Sequence, residues 1–230
     1  MVNELAVIGE IIGFLTAYLI AIIILRRDSS YKGNQYFAVS FFMYGTYSLV
    51  MMIYEFGISR LVVKILAHTS LLLLSFGTAF FVISMQIFIY STTWLKLKTQ
   101  KIIFIGSTLI AILSTAMTIN VISLDPVVTD KNYIALISMG IWQYTLLIYS
   151  LVKISQVLKK INPSQTEVKR KIRTLWLAQL IGLFAPTVSV VGNIMDNNTI
   201  VATIHIFLSL AFIFVAVAIL SGSSDKKEEG

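Results

Sequence analysis

The sequence contains no cysteine and only 3 prolines, and only 13% of its 230 residues are charged. Without cysteine the chain has no disulfide, no thiolate nucleophile and no cysteine-ligated metal. Soluble domains are about 25% charged and about 45–50% apolar. This chain is instead 57% hydrophobic, with a mean hydropathy of +0.85. The composition therefore predicts a protein whose solvent is the lipid bilayer.

The sequence also lacks the short motifs of common enzymes. There is no G-x-x-x-x-G-K, H-E-x-x-H or G-x-S-x-G segment, and no close pair of carboxylates within an apolar run. The formal net charge of +7 does not indicate nucleic-acid binding, because the cations lie at the ends of apolar runs, where they contact lipid headgroups. We therefore predict a non-enzymatic protein with no nucleic-acid partner.

Seven apolar stretches are long enough to cross a bilayer, which takes about 20 residues each. They predict an all-α bundle of seven transmembrane helices forming one domain, 1–221, with a short tail at 222–230. The connections are short, so consecutive helices should be antiparallel neighbours. The predicted spans are about 5–25, 35–55, 65–90, 102–122, 133–157, 174–195 and 199–220.

The basic segment Lys159–Arg173 predicts the orientation, because positive loops stay in the cytoplasm. It holds six cations against one acid, Glu167. With this segment inside, three cations fall outside, namely Arg60, Lys64 and Lys131. The other fifteen fall inside: Arg26, Arg27, Lys32, Lys96, Lys98, Lys101, Lys153, Lys159, Lys160, Lys169, Arg170, Lys171, Arg173, Lys226 and Lys227. We predict a multi-pass cell-membrane protein with its amino terminus outside and its tail in the cytoplasm.

Polar and aromatic side chains recur at helical spacing in several spans, as in the stripe Gln179, Gly182, Pro186, Ser189 and Asn193. One interpretation is that these stripes only pack helices together. The other is that they converge on an outer-half ligand pocket, with a hinge at Pro186 in span six. The predicted pocket residues are Glu10, Tyr47, Tyr54, His68, Trp142, Ser189, Asn193 and His205.

Few ionisable residues lie at membrane depth in the predicted spans, and Glu10, His68 and His205 are all in the outer half. Buried charge is costly in a membrane and marks functional sites. His68 and His205 have three interpretations: hydrogen-bonded interior residues, ligands of a haem or metal, or a pH sensor paired with a glutamate. Glu10 either belongs to such a site or reaches water at the interface. Because the inner half lacks such groups, the distribution argues against a proton or ion pump.

Two groups of residues resemble known families of seven-helix proteins. Arg60, the run Thr69–Ser75, Trp176 and Pro186 are similar to features of the microbial rhodopsins. That resemblance implies the opsin-like bundle. It does not imply retinal, because rhodopsins bind retinal covalently through a lysine in span seven and this span has none. We therefore predict no cofactor and no metal.

The second resemblance lies at the start of span two. Arg26 and Arg27, followed by Asn34 and Phe37, resemble the seven-helix sensor regions that precede histidine kinases. Both resemblances imply a sensor-type bundle. Together with the predicted outer-half pocket and the basic loop, they lead us to predict a receptor or sensor that reads a small ligand or protons and signals through that loop. The residues predicted to contact a cytoplasmic partner or lipid are Lys159, Lys160, Lys169, Arg170, Lys171 and Arg173. The alternatives are an accessory subunit of a membrane complex, and a channel or carrier.

Overall fold

The computed structural model describes residues 4–93, 95–130, 133–162, 164–195, 200 and 203–220. Within these residues the chain forms seven long helices and one short β-hairpin. The elements are α1 (Glu4–Arg27), α2 (Lys32–Glu55), α3 (Arg60–Tyr90), α4 (Lys98–Ala116), β1 (Val121–Leu124), β2 (Val127–Thr129), α5 (Tyr133–Lys160), α6 (Thr166–Ile194) and α7 (Ile204–Leu220).

Consecutive helices pack against each other along the whole chain, as the short connections predicted. Helix α7 also packs against α1, which closes the helices into a ring. Helix α3 contacts α5 directly, so α4 lies towards the outside of that ring. We call the end with the two strands the hairpin end, and the end with the α5–α6 connection the basic end.

The bundle has an apolar exterior and a partly polar interior. Exposed isoleucines and leucines follow the outer face of α1, and isoleucines and Val152 follow that of α5. Buried polar residues include Ser40, Ser84 and Gln86. Helices α1 to α5 are long and apolar enough to cross a membrane by length and composition, while α7 is apolar but has 17 residues. An apolar exterior of this extent needs lipid around it, which indicates a membrane-embedded protein.

The prediction for span four was wrong at its carboxyl end. The sequence predicted a helix over 102–122, but α4 ends at Ala116 and Val121–Leu124 form β1. β1 pairs antiparallel with β2, with Leu124 opposite Val127. Hydropathy does not distinguish a strand from a helix here, because Val121 and Ile122 are both apolar and β-branched. Of the predicted seventh span, 199–220, the structure describes a helix that begins at Ile204.

The hairpin packs against the turn between α2 and α3. Gly57 in this turn has a φ of +57°, and a Cβ there would lie 2.3 Å from the carbonyl oxygen of Leu124. Both the backbone conformation and the close approach therefore require glycine. Tyr54 reaches the hairpin, with its hydroxyl 3.1 Å from Oγ1 of Thr129. Ser59 then starts α3 by accepting a hydrogen bond from the Val62 amide at 3.3 Å.

Candidate functional site

A glutamate and a histidine meet inside the bundle near the hairpin end. Nε2 of His205, in the first turn of α7, lies 3.8 Å from Oε1 of Glu10 on α1. Their side chains are only 5% and 3% exposed. Oε2 of Glu10 has no hydrogen-bond partner among the described residues. A carboxyl and an imidazole enclosed together can exchange a proton, and both are costly to bury without a partner.

Helix α2 provides two further neighbours of this histidine. Nδ1 of His205 lies 3.3 Å from Oγ of Ser48, within hydrogen-bonding distance. The ring of Tyr47 stacks on the imidazole, with centroids 5.9 Å apart and planes at 21°. We call Glu10, Tyr47, Ser48 and His205 the buried cluster. Its members come from α1, α2 and α7, so it joins the first helix of the ring to the last.

A cavity of about 60 Å³ lies deeper in the bundle, between α2, α3, α5, α6 and α7. This volume has room for a few water molecules or a very small ligand. Tyr47 lines the cavity and also contacts His205, so the buried cluster adjoins it. The lining residues are Tyr44, Tyr47, Leu74, Thr78, Phe81, Gln143, Leu147, Ala178, Gln179, Gly182, Ala185, Pro186, Ile204, Leu208, Ala211 and Phe212.

Two glutamines of this central cavity have free hydrogen-bond donors. The side-chain Nε2 atoms of Gln143 and Gln179 are buried and have no partner among the described residues. The two residues are 7% and 0% exposed. Oε1 of Gln179 accepts a hydrogen bond from Ser150 at 3.1 Å, which fixes the other end of that amide. Buried donors without partners are rare, because each costs about 1–3 kcal/mol. A molecule that brought a hydrogen-bond acceptor into the cavity would supply the missing partner.

The rest of the cavity wall is aromatic or contains small residues. Phe212 packs against Phe41 and Tyr44, with ring centroids 4.9 and 5.2 Å apart. The hydroxyl of Tyr44 lies 2.9 Å from Oγ1 of Thr78 and is therefore already partnered. A Cβ at Gly182 would meet only Cβ of Ala211, at 3.8 Å, so this part of the wall is loosely filled.

The predicted hinge residue, Pro186, lines the cavity one turn from Gly182. Proline has no backbone N–H, so it cannot donate to the carbonyl of Gly182 four residues earlier. Helix α6 nevertheless runs from Thr166 to Ile194 with Pro186 inside it. The helix therefore has a locally weakened hydrogen-bond ladder at the point where it borders the cavity.

The structure does not bring all the predicted pocket residues together. Trp142 faces α4, where Nε1 donates to Oγ of Ser107 at 2.8 Å. His68 is half-buried on α3, and its Nδ1 has no partner among the described residues. Tyr54 contacts the hairpin. None of these three is among the lining residues described for the cavity. The side chains of Ser189 and Asn193 lie outside what the structure describes.

On α5, Ser138, predicted pocket residue Trp142, Thr145 and Tyr149 recur at helical spacing, but they do not form the most buried face. Thr145 is exposed, and the other three are half-buried. The buried face carries Met139, Gln143, Leu146, Leu147, Ser150 and Ile154. Gln143 was therefore missed, although its spacing to Leu147 and Ser150 is the same 4, 3 pattern. Both stripes fit a helix, and only the neighbouring helices decide between them.

The cations of the basic loop remain near the surface. Nζ of Lys171 lies 3.3 Å from Oε1 of Glu167 one turn earlier, in a pair that is 22% and 36% exposed. Lys159, Lys160, Lys169, Arg170 and Arg173 are all exposed. No described group of three or more His, Cys, Asp or Glu side chains is arranged to hold a metal ion.

No family model, curated protein sequence or solved structure matches this chain at a significant level.

Proposed function

We propose that this chain is a non-enzymatic seven-helix receptor or sensor of the cell membrane, with its amino terminus outside and its basic loop in the cytoplasm. The ligand we propose is a small, neutral molecule that accepts hydrogen bonds in the central cavity. The observation that carries this proposal is that Gln143 and Gln179 line the cavity and that their amide donors have no partner among the described residues.

The charge of the cavity wall supports a neutral ligand. No charged residue is among the described residues that line it. An ionised ligand would therefore lose its hydration without gaining a counter-ion, which costs several kcal/mol or more. An oxygen acceptor, such as a carbonyl, would instead satisfy the amide donors while the apolar wall covers the rest of the molecule.

Helix α6 provides a route from this cavity to the loop. Its residues Ala178 to Pro186 border the cavity, and its first turns carry Lys169, Arg170 and Arg173. A ligand shifts a bundle only if it contacts two states differently. The hydrogen bond missing at Pro186 lowers the cost of bending α6 beside the cavity.

The small-residue faces argue against a docking subunit. In an accessory subunit these faces would turn outward to meet a partner helix. Gly9 and Gly13 on α1, and Ser107 and Ala111 on α4, are buried within the bundle itself. A Cβ on Gly13 would lie 2.8 Å from Oγ of Ser48. These faces already pack against this chain's own helices.

A channel would need a continuous polar path through Gln86 and Gln179. Gln86 donates to the hydroxyl of Tyr149 at 3.1 Å, and Gln179 is bonded to Ser150. Towards the basic end, the described interior is filled by fully buried apolar residues, among them Ile24, Ile87, Ile154 and Leu175. A cavity that is closed at this end favours a receptor over a channel.

The orientation has a direct test, because the chain contains no cysteine and any introduced cysteine is a unique reporter. Ile122→Cys places a thiol on the exposed hairpin, and Ser164→Cys places one in the basic loop. In intact cells a membrane-impermeant maleimide should label the first variant and should label the second only after permeabilisation. The reverse pattern would overturn the proposed orientation.

The ligand is tested on protein purified in a mild detergent. Native mass spectrometry should detect a neutral small molecule bound at one copy per chain, and Gln179→Leu should reduce its occupancy at least tenfold. Gln156→Leu is the matched control, since Gln156 is exposed on α5. Equal occupancy in both variants, or a cavity that retains only water, would rule out the proposed receptor site.

A further inference from the structure

A groove of about 370 Å³ lies between α5 and α6 at the basic end. Three of its lining residues are cations: Lys159 on α5, and Lys169 and Arg173 on α6. The remaining described lining residues are Ser155, Leu158 and Trp176. We call these six residues the basic groove. It is separate from the central cavity, which no residue of the groove lines.

The cations of the basic groove have no acidic partner in the part of the chain that the structure describes. The nearest acid in sequence is Glu167, whose Oε1 pairs with Lys171 instead, at 3.3 Å. No described lining residue carries a negative charge. Three unneutralised cations that converge from two helices repel one another, and an anion between them would remove that repulsion.

The uncharged lining residues complete a site for a phosphate group. Nε1 of Trp176 donates to Oγ of Ser155 at 2.9 Å, which ties α6 to α5 beside the groove. Because the Ser155 oxygen accepts this bond, its hydroxyl proton is left to donate. The guanidinium of Arg173 can bind two phosphate oxygens at once, and the two lysines add point charges. Leu158 and the Trp176 ring offer apolar surface next to these donors.

The groove lies at the depth of lipid headgroups. Val152 on α5 and Leu177 on α6 are exposed apolar residues of the outer face. Lys159 follows Val152 by seven residues, or about 10 Å along the helix, and Arg173 precedes Leu177 by about 6 Å. A tryptophan beside cations at the edge of the apolar belt is typical of the membrane–water interface. A lipid phosphate would therefore lie level with the groove.

We infer that the basic groove binds the phosphate group of an anionic phospholipid. Basic pockets between transmembrane helices are suited to this ligand, because the headgroup charge is neutralised while the acyl chains remain in the bilayer. This inference does not require the central cavity to bind anything. It depends only on the chain being embedded in a bilayer with the groove at its surface.

The test uses the full chain in micelles that contain equal amounts of phosphatidic acid and phosphatidylcholine, followed by native mass spectrometry. We expect one phosphatidic acid retained per chain and no comparable retention of phosphatidylcholine. The triple variant Lys159→Gln/Lys169→Gln/Arg173→Gln should bind phosphatidic acid about a hundredfold more weakly, since each cation near the surface contributes roughly a factor of five.

The matched control removes three cations from the same end of the bundle but from outside the groove. The variant Lys96→Gln/Lys98→Gln/Lys101→Gln has the same net charge as the groove variant and should retain the lipid. Arg173→Lys should reduce the affinity for phosphatidic acid less than the groove triple variant does, because it keeps the positive charge and loses only the bidentate contact to the phosphate. Circular dichroism checks that each variant is folded. Equal loss in both triple variants would overturn the inference, because it would mean that net charge alone attracts the lipid.

A second arm distinguishes a lipid headgroup from free phosphate. Inorganic phosphate is added to the complex at increasing concentration. Retention of phosphatidic acid at millimolar phosphate supports the lipid as the source. Displacement at micromolar phosphate in the wild type would overturn the lipid as the ligand.

Discussion

Two pairs of an acidic and a basic side chain lie in opposite surroundings at opposite ends of the bundle. His205 and Glu10, from α7 and α1, are 5% and 3% exposed and lie close to the hairpin end. Lys171 and Glu167, both on α6, are 22% and 36% exposed at the basic end. The first pair joins elements that are far apart in sequence, whereas the second joins successive turns of one helix.

Because the two pairs differ in burial, polar side chains should have different roles at the two ends of the bundle. A polar group enclosed among helices affects stability strongly, because water cannot replace a lost partner. A surface cation contributes little to stability, because water and salt compete for it, and it is therefore free to bind something else. Changes at the hairpin end should thus alter the fold, and changes at the basic end should alter binding.

The largest effect is expected from breaking the buried pair. His205→Phe keeps a ring but leaves the Glu10 carboxyl enclosed without a partner, which should cost about 3 kcal/mol of unfolding free energy. The double variant Glu10→Leu/His205→Phe should recover most of that loss, because no unpartnered polar group then remains. The measurement is a titration with denaturing detergent in mixed micelles, followed by circular dichroism. A double variant as unstable as the single one would contradict this account of the pair.

Two glycine-to-alanine changes should alter the unfolding free energy by smaller amounts, one lowering it and the other raising it. A Cβ at Gly106 would lie 2.4 Å from the ring of Trp142, so Gly106→Ala should cost about 2 kcal/mol by overpacking the α4–α5 seam. At Gly182 there is room beside the cavity, so Gly182→Ala should stabilise α6 by about 0.5–1 kcal/mol. The same unfolding titration measures both. Destabilisation by Gly182→Ala would mean that the cavity wall is tightly packed.

Hydropathy located the helices well, because an apolar run of about 20 residues has few structures available to it in a bilayer. It placed their ends less well. Helix α6 begins at Thr166 and not near 174, since helical hydrogen bonding continues through charged residues such as Lys169 and Arg173. The hairpin was missed, because Val121 and Ile122 add to a hydropathy sum whether they form a strand or a helix.

The candidate site was only partly predictable, since it depends on which helices become neighbours. Glu10 and His205 were each identified as intramembrane residues, and nothing in the sequence shows that positions 195 residues apart meet. Trp142 fitted an inward stripe equally well but packs on Gly106 and Ser107 of α4. Rotating α5 about its axis by one residue would turn Trp142 instead of Gln143 towards the cavity. Packing against the neighbouring helices decides this rotation.

The exposed pair should contribute much less than the buried one. Lys171→Gln leaves Glu167 in contact with water, and pairs of this i, i+4 kind contribute about 0.3–0.5 kcal/mol. We therefore expect a change below about 0.5 kcal/mol in the unfolding titration, which disappears at high salt. Glu167→Gln should behave in the same way. A loss comparable to that of His205→Phe would remove the distinction between the two ends.

The smallest effect is expected for Asp28, an exposed carboxylate that accepts hydrogen bonds from the next residues of its own loop. Oδ1 of Asp28, between α1 and α2, accepts hydrogen bonds from Oγ and N of Ser30 at 2.6 and 3.0 Å and from N of Tyr31 at 3.1 Å. The Ser30 hydroxyl is the main cause that lowers the pKa of Asp28, and the two amides add to it. Because the pKa of Asp28 is lowered in the folded state, its carboxylate stabilises the fold at a pH above the ordinary aspartate pKa. That stabilisation is lost as the pH falls through the pKa of the folded state.

Ser30→Ala should therefore raise the pKa of Asp28 towards its ordinary value, as measured by carboxyl carbon NMR. Ser29→Ala is the control, because it removes a hydroxyl that does not bond to Asp28, and it should leave this pKa unchanged. An equal rise in both variants would show that solvent exposure, and not the Ser30 contact, determines the charge of this loop.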